Sequence, residues 1–176
     1  MRRFFRFLSD ESASQIAEAA LVLPLAFMML LGIYWFGRAF NVYATINHAA
    51  REGARAAVAL TCATCTNLPP SASAVANIVK QALQASNVDP SQIQQYPLTA
   101  PANTCGGVTE VCDFSNNNIT VCTNAPLTPA SPPNPYPQVC GVSVSFQYPY
   151  QMSLPFTSLN QQQFLLKANV QMKGEN

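Results

Sequence analysis

The amino-acid sequence predicts an α+β protein: a long N-terminal helix, then a small domain with a short helix and an antiparallel β-sheet. Three observations support this fold class. Residues 19–37 form an apolar run without a charged residue. Helical periodicity then continues over residues 39–60. Two later segments, residues 139–148 and 164–172, alternate in a way that is typical of strands with one buried face.

The apolar run is long enough to cross a membrane. At ~1.5 Å of rise per residue, it covers the ~30 Å hydrocarbon core of a bilayer. Tyr34, Trp35 and Arg38 stand at its end, where interfacial aromatic and basic residues are expected. We therefore expect a membrane span at about residues 16–37, inside one helix that covers residues 14–60.

Glu18, at the start of the apolar run, does not suit a plain anchor. A carboxylate at the membrane edge is unfavourable unless it is paired, protonated or close to lipid headgroups, so Glu18 is a candidate functional residue. The alternative is an anchor whose Glu18 simply lies near the headgroups. Pro24 removes one backbone hydrogen bond and favours a kink, which membrane helices tolerate.

Beyond the span, the helix carries an apolar stripe of mostly small residues. Ala49, Gly53 and Ala57 are four residues apart, a spacing that lets another backbone approach closely. We interpret the stripe as a packing surface, either for another subunit or for the chain's own domain. His48 and Glu52 lie on the opposite face as a weak helix-surface pair, without the nucleophile or metal ligands that catalysis requires.

The rest of the chain, residues 61–176, is predicted to form one extracytoplasmic domain stapled by disulfides. A second amphipathic helix is expected at residues 71–86, with Ser71 or Ser73 as its N-cap. A short strand is expected at residues 119–122. Together with the two alternating segments, it most simply forms an antiparallel sheet.

Composition excludes several classes of function. The 176 residues carry a net charge of +1, so nucleic acid is not an expected partner. Only 10% of residues are charged, against about 25% in ordinary soluble domains. Such a surface suits a protein that packs against copies of itself or lies outside the cell. The sequence has no phosphate loop, dinucleotide fingerprint or hydrolase nucleophile motif, so we predict no enzymatic activity, cofactor or metal.

All the cysteines follow the predicted span, which predicts disulfides in an oxidising compartment and a cytoplasmic N-terminus. Arginines on both sides of the span leave the positive-inside rule nearly tied, so the cysteines decide the orientation. Local pairing would join Cys105 to Cys112, and Cys122 to Cys140 around a proline-rich loop at residues 123–138. The six cysteines are Cys62, Cys65, Cys105, Cys112, Cys122 and Cys140.

Three stretches carry a recognisable combined pattern: residues 14–25 (SQIAEAALVLPL), 31–40 (LGIYWFGRAF) and 47–57 (NHAAREGARAA). Together they resemble the TadE-like family, the minor pilins or pseudopilins of bacterial tight-adherence (Flp-type) pili. The resemblance covers about residues 13–58. The outer domain is similar only loosely, through its late alternating strands.

The resemblance implies that a prepilin peptidase removes a basic cytoplasmic leader, residues 1–13, by cutting between Ala13 and Ser14. Glu18 would become the fifth residue of the mature chain and would neutralise the new amine of Ser14 on a neighbouring subunit. The resemblance thus implies a single-pass inner-membrane component of pilus assembly. Its partners would be other pilins or pseudopilins and the assembly machinery.

Three alternatives stay open from the sequence. The leader and apolar run could be a secretory signal peptide, although the run is longer than the usual ~7–15 residues and lacks a small-x-small cleavage site. The protein could be an uncleaved envelope protein whose outer domain binds a surface or partner through its proline-rich loop. It could also be a membrane-anchored thiol-disulfide protein that uses Cys62 and Cys65.

Overall fold

The computed structural model describes residues 11–59, 70–97, 104–114, 118–127, 139–151 and 163–173. The chain divides into two compact units, Met1–Phe40 and Asn41–Asn176. The predicted α+β class is confirmed: a long apolar N-terminal helix precedes a domain with a short helix and antiparallel sheets. The leader, Cys62, Cys65 and most of the predicted proline-rich loop lie outside the described residues.

Helix α1 covers Glu11–Val58 and continues without a break through Pro24. Its first part, in the N-terminal unit, has its large apolar side chains on the outside. Leu21, Met28 and Ile33 are 75%, 74% and 68% exposed. Among the described residues these side chains are not covered by the rest of the protein, whereas a core helix of a soluble domain has most of its apolar side chains buried.

Helix α2 covers Ala72–Ala85, and the predicted cap is confirmed at Ser71, whose hydroxyl accepts a hydrogen bond from the Ala74 N–H at 3.3 Å. A short 3-10 turn at Pro90–Gln92 follows, capped by the Asp89 carboxylate, which accepts from the Ser91 N–H at 2.9 Å. That hydrogen bond lowers the pKa of Asp89.

In the described residues, six strands form two antiparallel sheets. β1 (Thr104–Cys105) and β2 (Val108–Thr109) make a small hairpin. The larger sheet has the order β3-β4-β5-β6, with β3 at Val111–Asp113, β4 at Thr120–Pro126, β5 at Cys140–Gln151 and β6 at Gln163–Lys173. β5 is therefore central, and β6 is an edge strand in the described part of the chain.

Strand β5 is more buried than its alternation predicts. The expected core face is buried, as predicted, at Val142, Val144, Phe146 and Tyr148. The opposite face is buried too, although it is polar: Ser143, Ser145 and Gln147 are 7%, 2% and 4% exposed. The expectation of one solvent-facing side was wrong: β5 is the central strand, with β4 and Gln94 paired along one edge and β6 along the other, and its short serine side chains are buried along with its core face.

The core of the second unit forms where the end of α1 and helix α2 meet the sheet. Ile46 of α1, Leu83 of α2, and Ile119 and Phe146 of the sheet region are each 0% exposed. Burial raises the pKa of the Tyr148 phenol, and the negative charge of Asp89 adds to this shift.

The small residues of α1 let this helix lie close to α2 and β5. Ala49 and Ala57 are 1% and 5% exposed, and they belong to the core of their own domain. A Cβ atom on Gly53 would overlap the Val79 side chain of α2 and lie 3.7 Å from Val144 Cγ1 of β5. The stripe Ala49, Gly53 and Ala57 is thus occupied within the domain, which was one of the two readings that the sequence left open.

Replacing Gly53 with leucine is expected to destabilise the second unit by about 2–3 kcal/mol, because four extra carbons must fit into a filled helix-sheet contact. Urea unfolding of the full chain in detergent, followed by near-UV circular dichroism, measures the loss. Gly37→Leu is the matched control, since a Cβ there has nothing within 4 Å. Equal losses in both variants would contradict the packing argument.

Candidate functional site

Glu18 lies on the first turns of α1 and is exposed. On a helix its neighbours are the residues three and four positions away, namely Ser14, Gln15, Leu21 and Val22. None of these carries a charge. In the part of the chain that the structure describes, Glu18 makes no hydrogen bond, ion pair or ring contact. Among the described residues, the carboxylate therefore lies beside an apolar surface without a basic partner.

The expected processing residues Ala13 and Ser14 also lie in α1, five and four positions before Glu18. Their side chains lie outside the described residues. Helical side chains tilt toward the N-terminus, so the Glu18 carboxylate extends toward the turn that contains Ser14.

The other end of the apolar run carries an aromatic and basic cluster. The rings of Tyr34 and Trp35 are 5.5 Å apart in an edge-to-face arrangement. The Arg38 guanidinium lies 5.9 Å from the centre of the Trp35 ring, within cation-π distance. Such amphipathic side chains favour the membrane-water interface. Glu18 and Arg38 are twenty residues apart, about 30 Å along a helix.

One helix is long and apolar enough to cross a membrane in the described part of the chain, Gln15–Val58, with a mean hydropathy of 2.2 in its most apolar stretch. That stretch has none of its residues buried. Length and composition therefore indicate a membrane anchor, with Glu18 at one end of it and the aromatic cluster at the other.

The disulfides of the outer domain differ from the sequence prediction. Cys112 pairs with Cys122, and Cys105 pairs with Cys140, with Cα–Cα distances of 4.0 and 5.7 Å. The predicted local pairs, Cys105 with Cys112 and Cys122 with Cys140, were wrong. The reason is strand register, because Cys112 and Cys122 lie directly opposite each other on β3 and β4.

The Cys105–Cys140 disulfide follows from a bulge in β4. Asn124 has a positive φ of 61° and interrupts the β4–β5 register between Thr123 and Ala125. Its side-chain amide donates to the Val108 carbonyl at 2.9 Å and to the Cys105 carbonyl at 3.4 Å. The bulge thus holds the β1–β2 hairpin at the end of β4, where Cys105 meets the first residue of β5.

Sequence reasoning missed Glu110, which has one carboxylate oxygen 3.8 Å from Cys112 Sγ. Glu110, Cys112 and Cys122 offer ligand atoms within 4.8 Å of one another. Both sulfurs are bonded to each other, so they supply no thiolate and this contact is neither a thiol hydrogen bond nor a metal site while the disulfide is intact. The spacing Glu-x-Cys, which puts both side chains on one side of an extended chain, was the available signal.

A family profile described as "TadE-like protein" matches residues 13–55. The match starts at Ala13, covers the apolar run with Glu18 and the aromatic cluster, and ends in the buried stripe of α1. No curated protein and no solved structure matches the chain. The resemblance found in the sequence is thereby confirmed where its motifs lie, because residues 13–55 match the TadE-like family model.

Proposed function

We propose that this protein is a structural component of tight-adherence pilus biogenesis, a pseudopilin that acts through its N-terminal helix. The observation that carries the proposal is Glu18: an exposed carboxylate without a partner in the described chain, at the start of an apolar helix, inside a TadE-like segment. A carboxylate held against lipid or against other apolar helices needs a cation.

The cation that we propose is the amine of Ser14 on a neighbouring subunit. A prepilin peptidase would create it by cutting between Ala13 and Ser14 on the cytoplasmic face of the inner membrane. Glu18 and the new amine would then fix the register between adjacent helices, since removal of either charge leaves the other buried and unpaired. Other pilins or pseudopilins and the assembly machinery are the partners of this arrangement.

The disulfides support the orientation. Cys105–Cys140 and Cys112–Cys122 both lie after the anchor, and such bonds persist in oxidising compartments. We therefore place the outer domain on the periplasmic side and the leader in the cytoplasm. The mass of the membrane-extracted chain tests the processing step: loss of residues 1–13 supports it, and a full-length chain contradicts it.

Glu18→Gln is expected to abolish assembly while leaving membrane insertion intact. An unpaired buried amine costs about 3–5 kcal/mol, which weakens each subunit contact by at least about 100-fold. The measurement is the yield of sheared pili beside the amount of membrane-inserted protein. Glu52→Gln, the same change on the same helix but outside the apolar run, is the control. Normal pili with Glu18→Gln would reject the pairing role.

Cross-linking with a membrane-permeable carbodiimide can show whether the amine beside Glu18 belongs to the same helix or to a neighbouring copy. The carbodiimide converts the Glu18 carboxyl group to an O-acylisourea, the Ser14 amine attacks, and an amide forms as the urea leaves with the elements of water. Coupling between copies gives a species of dimer mass, whereas coupling within one helix gives a monomer lighter by one water. Only the first result supports pairing between subunits, and Glu18→Gln should remove both products.

A further inference from the structure

We propose that the outer edge of strand β6 pairs, antiparallel, with the β6 of a second copy of this chain, so that two four-stranded sheets join into one of eight strands. This interface is separate from the Glu18 contact and does not depend on the proposed pilus role. It lies entirely within the second unit.

The outer edge of β6 is long and is unpaired among the described strands. β6 covers eleven residues, Gln163–Lys173, all of which pair with β5 on the inner side. Among the described strands none pairs with its outer side. Along the strand only Ala168 is buried; Phe164 and Leu165 are 47% and 46% exposed. Such an edge presents unpaired backbone groups and apolar side chains, which favour the addition of another strand.

Natural edges are commonly blocked by a lysine, and β6 has one near its middle. Lys167 does not block the edge here. Its ammonium group lies over the ring of Tyr96, 5.7 Å from the ring centre. Lys167 pairs with Gln147 of β5, and Tyr96 follows Gln94, which pairs with Gln147 from the other side. The charge therefore points back across the sheet.

The sequence of β6 is complementary to itself about Ala168, the midpoint of the strand. With Ala168 opposite Ala168 of the second copy, all eleven residues pair, and opposite residues share a face. Phe164 then meets Met172, and Leu166 meets Val170, so the apolar face continues across the junction. Lys167 meets Asn169, and Lys173 meets Gln163.

Neighbouring registers either place lysines opposite each other or pair fewer residues. A shift of the midpoint to Lys167 puts two lysines opposite each other, and a shift to Val170 puts Lys167 opposite Lys173. Like charges directly opposite are destabilising. A register with its midpoint between two residues places the apolar face of one strand beside the polar face of the other. Registers about Leu166 or Asn169 keep the lysines apart but leave part of each strand unpaired. The register about Ala168, in which all eleven residues pair without opposed lysines, is therefore the one favoured for a second copy.

Cysteine cross-linking of the full chain tests the register. Asn169 and Gln171 are both exposed on the same face. In the proposed register the two Asn169 positions lie on a diagonal, about 7–8 Å apart, whereas the two Gln171 positions are six residues apart, about 20 Å. A short bismaleimide should therefore link Asn169→Cys into a dimer but not Gln171→Cys, with the parent chain as the background control.

Charge substitutions in β6 provide a second test of the proposed dimer. Asn169→Lys places lysines opposite Lys167 at two symmetric positions and should raise the dissociation constant of the dimer at least about tenfold. Adding Lys167→Glu to it should restore the dimer, because each lysine then meets a glutamate. The proposal is overturned if both cysteine variants cross-link equally, if Asn169→Cys links only to a different protein, or if Lys167→Glu restores nothing. Glu18→Gln should leave the cross-link intact, which separates this interface from assembly through α1.

Discussion

Replacing both Cys105 and Cys140 with alanine is expected to lower the free energy of unfolding of the outer domain by about 4 kcal/mol. The bond closes a loop with a sequence separation of 35 residues, so its loss releases a large amount of conformational freedom in the unfolded chain. It also removes the covalent link between the β1–β2 hairpin and the central strand. Alanine is preferred to serine because Cys105 is 1% exposed and a buried hydroxyl would add its own penalty.

The other disulfide provides the internal comparison. Cys112 and Cys122 are separated by only 10 residues, and their strands are already held in register by β3–β4 pairing. Replacing both with alanine should therefore cost less, about 3 kcal/mol. Urea unfolding of the full chain in detergent measures both variants. If removal of Cys112–Cys122 lowered the free energy of unfolding more than removal of Cys105–Cys140, loop closure would not be the source of the stabilisation.

These two bonds also show where prediction from the sequence stops. The predicted pairs joined cysteines that are neighbours along the chain, but the observed pairs follow from register and from one bulge at Asn124. The bulge arises from a single residue with a positive φ and two side-chain hydrogen bonds, which leave no periodic pattern in the sequence. Gly106 and Gly107, both with positive φ, were the one usable signal for the missed hairpin.

Helices and strands with long repeating patterns could be predicted, because many residues follow the same hydrophobic periodicity. In α1 the apolar run and the stripe that follows it extend over dozens of residues. In β5 every second residue, on the expected core face, is apolar. The opposite face of β5 was not predictable, since serine and glutamine side chains suit solvent equally well. Glu18 could be found because a charge at the mouth of an apolar run is conspicuous without any knowledge of its partner.

The core of the outer domain should depend on Phe146 more than on any other single side chain. Phe146 is 0% exposed and is the largest fully buried side chain in the described residues. It stands in the middle of β5, opposite Ala168 of β6, whose small side chain leaves room for the ring. Truncation to alanine removes the apolar surface and leaves a cavity between rigid strands and helices, so we expect a loss of about 3–5 kcal/mol.

Phe114→Ala is the matched control for Phe146→Ala. It makes the same chemical change just after β3, but the side chain is 47% exposed, so the expected loss is below about 1 kcal/mol. Both losses are read from urea unfolding of the full chain in detergent, with the near-UV signal of the buried tyrosines Tyr148 and Tyr150 as the probe. Similar losses in the two variants would mean that the sheet and the helices are not packed around Phe146. A much larger loss for Phe146→Ala would show that this buried ring is a main contributor to the core that the helices and the sheet form.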